Sequence, residues 1–282
     1  MRNALWVGGS IGRRGFPMLG TGKRGLSTYI KELFANNEQG FAYDPNDLTT
    51  LYQDAAGTIP VTGAGQSVGL MLDKSGRNNH AVQTTSASRP ILRKNAITGA
   101  NYLEFDGSDD FFVINSIDFT ATGKISLFAG VRKLADTTQI IAELSVSAVA
   151  NNNSFYFVAG TDAGPIGYST AGRGAIGANG TQTARNTTYL APDTAVLSAK
   201  HDISGNLSSS RRNGVVGIDG TGYKGGGNFG NYPLYIGRRG GVTNALNGHI
   251  YSLIGIGRLT TESETAAIEK EFAKRTGVTL SV

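Results

Sequence analysis

The apolar positions of this chain recur in short alternating runs, the pattern of strands half buried on a sheet. These runs predict strands at residues 42–43, 79–83, 102–106, 111–114, 125–132, 140–144, 154–159, 195–201, 234–236 and 249–258. In the strand at 125–132, Ile125, Leu127, Ala129 and Val131 alternate with Ser126, Phe128, Gly130 and Arg132. The last strand sets Ile250, Ser252, Ile254 and Ile256 on one face and Tyr251, Leu253, Gly255 and Gly257 on the other. Two nearly apolar faces mark a central strand covered from both sides. Segments rich in Gly, Asn, Ser and Thr separate the strands, and residues 160–186 and 219–231 read as long loops.

The period changes to that of a helix at each end of this region. Leu26, Ile30, Leu33 and Phe34 share one helical face, with Ser27 as the expected N-cap and Asn36, Asn37 and Gly40 ending the run. So short a helix is marginal alone and needs a surface, either its own sandwich or a neighbouring subunit. A second helix is expected over about 261–276. Thr261 and Glu264 form a capping box, Ala267, Ile268, Glu271 and Phe272 face inward, and Gly277 stops the helix. Its small apolar face suits a helix laid across the edge of a sheet.

Composition adds limits. Apolar residues at 39% can build a core, and charged residues at 17% are too few for a disordered chain. The 40 glycines have no fixed period, consistent with many tight turns. With no cysteine, disulfides and thiolate metal sites are excluded. No apolar run is long enough for a signal peptide or a membrane span, so synthesis in a cytoplasm is expected. The net charge is +5, and Arg2, Arg13, Arg14, Lys23 and Arg24 account for all of it. Residues 1–25 also hold seven glycines and no acid, so they form a basic arm with no core of its own.

Several phrases carry a family resemblance. Residues 71–81, MLDKSGRNNHA, resemble the D-x-SG-x-x-NHA turn of laminin-G-like jelly rolls. Residues 102–111, YLEFDGSDDF, resemble the hairpin that follows it. LYIGRR at 234–239 and LNGHIY at 246–251 resemble the late strand pair, and a Leu259-Thr260 step and helix follow in the same order. The stretch from Tyr43-Asp44-Pro45-Asn46 to Gly69-Leu70 is similar to one common in bacteriophage tail-associated proteins with this domain. The resemblance covers residues 41–277. It implies an all-β fold: a two-sheet antiparallel jelly-roll sandwich, concanavalin A-like or laminin-G-like, with an N-terminal extended arm, a short N-terminal helix and a C-terminal helix. The expected division is an attachment arm at 1–26, a helix and linker at 27–40, and the sandwich at 41–282.

The resemblance also implies a function: a non-enzymatic virion protein, at the tail tip, fibre or baseplate, that binds host surface polysaccharide. The alternatives are a head decoration or other structural virion protein without ligand and, as a minor reading, a polysaccharide-cleaving glucanase-like enzyme. Trp6, Ile11, Arg13, Arg14, Phe16, Leu19, Lys23 and Arg24 are expected to anchor the arm to other virion proteins, in a homo-oligomer with a trimer favoured. Tyr168, Arg173, Tyr223, Asn228 and Tyr232 are the candidate glycan contacts, because Tyr, Asn and small residues make adaptable surfaces.

Other signals are weaker. Gly20-Thr21-Gly22-Lys23-Arg24-Gly25 spells a dinucleotide motif without the flanking strand and long helix it needs. Arg211-Arg212 and Arg238-Arg239 lack aromatic platforms, so nucleic acid is not expected as a partner. Glu104-Phe105-Asp106-Gly107-Ser108-Asp109 lies near the E-x-D-x-x-E line of laminarinase-type glucanases, yet Asp106-Gly107 reads as a turn. His80, His201 and His249 form no cluster by spacing, no cofactor or metal is assigned, and Phe105 and Phe111 are expected to plug the core beside Asp106-Gly107.

Overall fold

The computed structural model describes residues 24–161, 164–175, 184–187 and 189–281. Two antiparallel sheets face each other. The eight-stranded sheet runs Val215–Val216, Leu207–Arg212, Asp193–Asp202, Lys124–Lys133, Asn247–Ile256, Asn101–Asp106 and Ile91–Lys94, with Gly40–Tyr43 pairing beside Asn247–Ile256. The nine-stranded sheet runs Ala184–Thr187, Gly164–Gly172, Phe155–Thr161, Gln139–Leu144, Asn231–Ile236, Phe112–Asp118, Ala81–Val82, Leu70–Met71 and Leu51–Tyr52.

The core between the sheets follows from the strand alternation. Leu103, Phe105, Leu127, Ala129 and Val131 from one sheet meet Phe112, Ile114, Leu144, Phe155 and Leu234 from the other. Phenylalanine pairs pack edge to face, Phe105 on Phe112 and Phe155 on Phe119 and Phe229. The residue beside the Asp106-Gly107 turn that fills the core is Phe112, fully buried, whereas Phe111 is only half buried. The turn takes one residue more than expected, because Asp110 folds back to accept a hydrogen bond from the Asp106 amide.

The strand Asn247–Ile256 is central and covered on both faces, but its faces are not those read from the sequence. Its register against Lys124–Lys133 shifts between Ile250 and Ser252. This bulge adds a residue and exchanges the two faces. Ile250 and Leu253 therefore enter the inter-sheet core, while Ile254 and Ile256 face the helices.

The outer face of the eight-stranded sheet carries both helices. Helix α1, Leu26–Leu33, buries Leu26, Ile30 and Leu33, and its N-cap is Gly25, without a side-chain cap, rather than Ser27. Helix α2, Glu262–Thr276, begins with the Thr261–Glu264 capping box and ends at Gly277, whose φ of +80° suits a residue without Cβ. It lies on the strands Lys124–Lys133 and Asp193–Asp202, not at the sheet edge. Gly130 lies beneath the helix end, where a Cβ would stand 3.1 Å from the Thr276 methyl, tighter than an ordinary contact. Ile268 and Phe272 pack on Phe128, Val196 and Ile254. Arg275 pairs with Asp44 and donates to Ser252 Oγ at 2.7 Å, and Arg258 joins Glu38 to Glu264.

The segment 160–186 is not a loop throughout. Gly164–Gly172 pairs with Phe155–Thr161 as a hairpin and with Ala184–Thr187 on its other side. Of the expected arm contacts, Trp6, Ile11, Arg13, Arg14, Phe16, Leu19 and Lys23 lie outside the described residues. Arg24 pairs with Glu32 of α1 in an exposed ion pair.

Candidate functional site

The helices cover only part of the outer sheet face. Beyond the end of α2, strand alternation turns another set of side chains outward. In Asn101–Asp106, Leu103 and Phe105 point into the core, so Tyr102 and Glu104 point out. Glu104 pairs in register with His249, His249 with Arg132, and Arg132 with Thr194. One row of side chains thus crosses four strands. Tyr102 stacks on His249 with ring centroids 4.2 Å apart, and Tyr251 lies 5.1 Å from Tyr102. The bulge next to Tyr251 sets where this ring stands.

Tyr102, Arg132, Thr194, His249 and Tyr251 form the floor of a groove of about 460 Å³. Lys94, Asn95, Ala96 and Ile97 make one wall, and Thr276, Gly277 and Val278, at the end of α2, make another. Thr98 Oγ1 donates to Arg275 O at 2.9 Å, tying the first wall to the helix end. Asn95 Nδ2 donates to the Tyr251 hydroxyl at 3.2 Å. Glu104 borders the groove, its Oε1 accepting from Arg93 Nε at 3.1 Å and Nη2 at 3.0 Å.

Among the described residues two nitrogens in this region are buried without a partner: Arg132 Nε and His249 Nδ1. Burial lowers the His249 imidazole to about 4, with the Arg132 charge acting in the same direction and Glu104 opposing it. The ring is therefore neutral at physiological pH.

A carboxylate cluster stands where the strand carrying Glu104 ends. Gly107, at φ +80°, makes the turn, and Asp106 Oδ1 accepts from the amides of Ser108 and Asp109. Asp109 accepts from Ser88 Oγ at 2.6 Å. One carboxylate oxygen from each of Asp106, Asp109 and Asp110 lies within 4.8 Å of the others, a spacing that a cation could use. Asp110 is 6% exposed, and its carboxyl is pushed up to about 7 by burial and by the charges of Asp106, Asp109 and Glu104. It carries its proton close to neutrality. Of the E-x-D-x-x-E line, Glu104 and Asp106 sit on one strand two residues apart, whereas Asp109 lies in the turn.

The five expected glycan contacts do not converge. Tyr168 is buried in the sheet, its hydroxyl donating to Asp193 Oδ2 at 2.9 Å. Arg173 is 6% exposed and donates to Ala148 O, so it supports the fold from within. Tyr232 packs against the core. Tyr223 and Asn228 are exposed, and the Asn228 amide donates to Thr120 O. The presumed loop is strand where Tyr168 sits, which explains its burial. His201 is likewise interior, held by Ser208 Oγ at 2.9 Å and Thr170 Oγ1 at 2.8 Å. Sequence reasoning found Glu104 but missed Tyr102, Arg132, His249 and Tyr251. Their outward phase of alternation was visible, while their meeting depends on strand register.

Fold and site together define a two-sheet antiparallel β-sandwich with an aromatic, basic groove on its outer face. Solved structures share this fold at low sequence identity. A GH54 α-L-arabinofuranosidase matches with a TM-score of 0.58 and 13% identity, over 89% of this chain and 65% of that one. An arabinofuranosidase in complex with arabinofuranosyl-α-1,2-xylobiose matches with a TM-score of 0.54 and 12% identity, over 74% of this chain and 51% of that one. The binding domain of botulinum neurotoxin serotype D matches with a TM-score of 0.53 and 7% identity, over 86% and 52%. The chain thus spans about half to two thirds of the length of these structures. No family model matches the chain, and no curated protein is similar to it in sequence.

These neighbours correct the expectation of a non-enzymatic bacteriophage virion protein. Two of the three are named as arabinofuranosidases and none as a phage protein.

Proposed function

We propose that this chain is a carbohydrate-active, glycosidase-like β-sandwich, a jelly roll of the concanavalin A-like or laminin-G-like type, that holds a polysaccharide in the outer-face groove. The observation that carries the reading is the row Glu104–His249–Arg132 with Tyr102 stacked beside it, on a fold shared with arabinofuranosidases. Aromatic rings next to polar groups in a concave site suit a sugar, which is apolar on its ring faces and polar at its edges.

Glycoside cleavage needs two carboxyl groups in different protonation states. Glu104, paired with Arg93, is the carboxylate at the border of the groove. Asp110, holding its proton to about pH 7, is the acid whose proton the charge of Glu104 helps to hold. In this scheme Asp110 gives its proton to the leaving oxygen as the glycosidic bond breaks, Glu104 stabilises the positive charge developing on the sugar, and a water molecule adds to the anomeric carbon and returns a proton to Asp110.

A second reading is binding without cleavage. It is favoured by the burial of Asp110 and by the two bonds from Arg93 that occupy Glu104 Oε1. Reducing-sugar release from a panel of plant and bacterial polysaccharides separates the two. The catalytic reading expects release that falls by about a hundredfold or more in Glu104→Gln, the scale of losing one group that stabilises transition-state charge. Binding of the same polymers with no release by the unmodified protein supports the second reading and rejects the first.

A further inference from the structure

The groove is unusual in the charge it leaves uncompensated. Among the described residues the Arg132 side chain makes no hydrogen bond or ion pair, and its Nε is buried. Lys94 adds a second cation to the lining, and among the described residues no Asp or Glu lines the groove. The bordering carboxylate, Glu104, is already taken by Arg93. His249 Nδ1 is buried without a partner beside Arg132 in the sheet register. Buried donors without acceptors are costly, and more so on a charged group, so such atoms mark places where a ligand supplies the acceptor.

The shape of the free group narrows the choice. A guanidinium is a planar fork whose donors match the two oxygens of a carboxylate. Tyr102 and Tyr251 stand beside it and offer ring surface for a pyranose or furanose. We propose that the groove selects an acidic saccharide, a uronic acid unit whose carboxylate is held by Arg132, with His249 Nδ1 bonding a neighbouring hydroxyl. This selectivity rests on the reading that the groove holds polysaccharide. A sulfate ester would bring the same charge in tetrahedral form, so the experiment must tell the two apart.

The test is calorimetric titration of the whole chain with a galacturonic acid oligomer, a neutral galactose oligomer of equal length and a sulfated galactose oligomer. Salt of about 0.15 M suppresses diffuse attraction to a basic protein. The uronic oligomer is expected to bind at least about tenfold more tightly than either other ligand, as one charge-assisted fork allows. Arg132→Gln should abolish this preference. Arg132→Lys, which keeps the charge and loses the fork, should reduce it, and Lys31→Gln on exposed α1 should leave it intact. Circular dichroism matching the unmodified chain qualifies each variant.

Equal binding of the neutral oligomer overturns the selectivity while leaving the groove as a glycan site. Tighter binding of the sulfated oligomer overturns the carboxylate assignment. Equal weakening by Arg132→Gln and Lys31→Gln reduces the effect to diffuse charge and overturns the proposal. Failure of all three oligomers to bind removes the groove reading with it.

Discussion

Replacing Phe272 with alanine tests the link between the helix layer and the groove. Phe272 is fully buried, and with Ile268 it packs on Phe128, Val196 and Ile254 of the outer sheet face. The truncation removes a ring and leaves a hole bounded by sheet side chains that strand pairing fixes in place. Losses for Phe→Ala in such settings are about 3–5 kcal/mol. At about 2–4 °C per kcal/mol for chains approaching this size, the midpoint should fall by about 6–20 °C. Ile97, 94% exposed on the groove wall, is the control, and its alanine variant should stay within about 0.5 kcal/mol of the parent. Urea unfolding gives the free energies and thermal unfolding the midpoint, each followed by circular dichroism. A loss below about 1 kcal/mol for Phe272→Ala would show that α2 is not seated on the sheet, and the α2 wall of the groove would go with it.

Arg239→Ala takes the guanidinium from the fully buried Glu143 carboxylate, 2.9 Å away, and should cost about 3–5 kcal/mol in urea unfolding. Arg24→Ala, in an exposed pair with Glu32, should cost no more than about 1 kcal/mol, and equal losses would refute the contrast. Asp110 is raised to about 7, so its protonated form is favoured by folding. The stability it contributes is full below the usual carboxylate value and is lost as pH rises through about 7. Relative to the parent, Asp110→Asn should therefore gain stability between about pH 4 and pH 8, and a difference that does not vary with pH would contradict the burial of an acid there.

Much of the fold could be read where local chemistry and tertiary pairing agree. The strands at Asn101–Asp106, Lys124–Lys133, Gln139–Leu144 and Asp193–Asp202 stand near their expected places because alternation and β-propensity coincide in them. The α2 capping box formed as read because every atom in it lies within four residues. The misses are non-local. Gly164–Gly172, with three glycines and a proline, reads as a loop, yet its partner Phe155–Thr161 supplies the hydrogen bonds that hold it. Leu207–Arg212, with three consecutive serines, was missed for the same reason and pairs with Asp193–Asp202. Of the groove, Glu104 stood out through a resemblance, whereas Arg132 and His249 meet across more than a hundred positions of chain through a register interrupted by a bulge. Phase tells which way a side chain points, but it does not tell what the side chain will find there.

The order of the strands bears on how the protein behaves among copies of itself. Val215–Val216 closes one end of the eight-stranded sheet and Leu51–Tyr52 one end of the nine-stranded sheet, each two residues long. The opposite ends are Ile91–Lys94 and Ala184–Thr187, each four residues long. At three of these rims the outer edge already bonds to the chain itself, since Leu51 O accepts from the Val61 amide, Leu92 pairs with residues 65–66 and Arg185 pairs with Ile218, so an incoming strand finds little template there. Val215, Val216 and Ile218 are apolar and about half exposed or more, the composition that invites edge-to-edge growth. The brevity of that rim strand, with Lys94 exposed on the far one, blunts fibril growth at the two ends of the sheet that carries the groove.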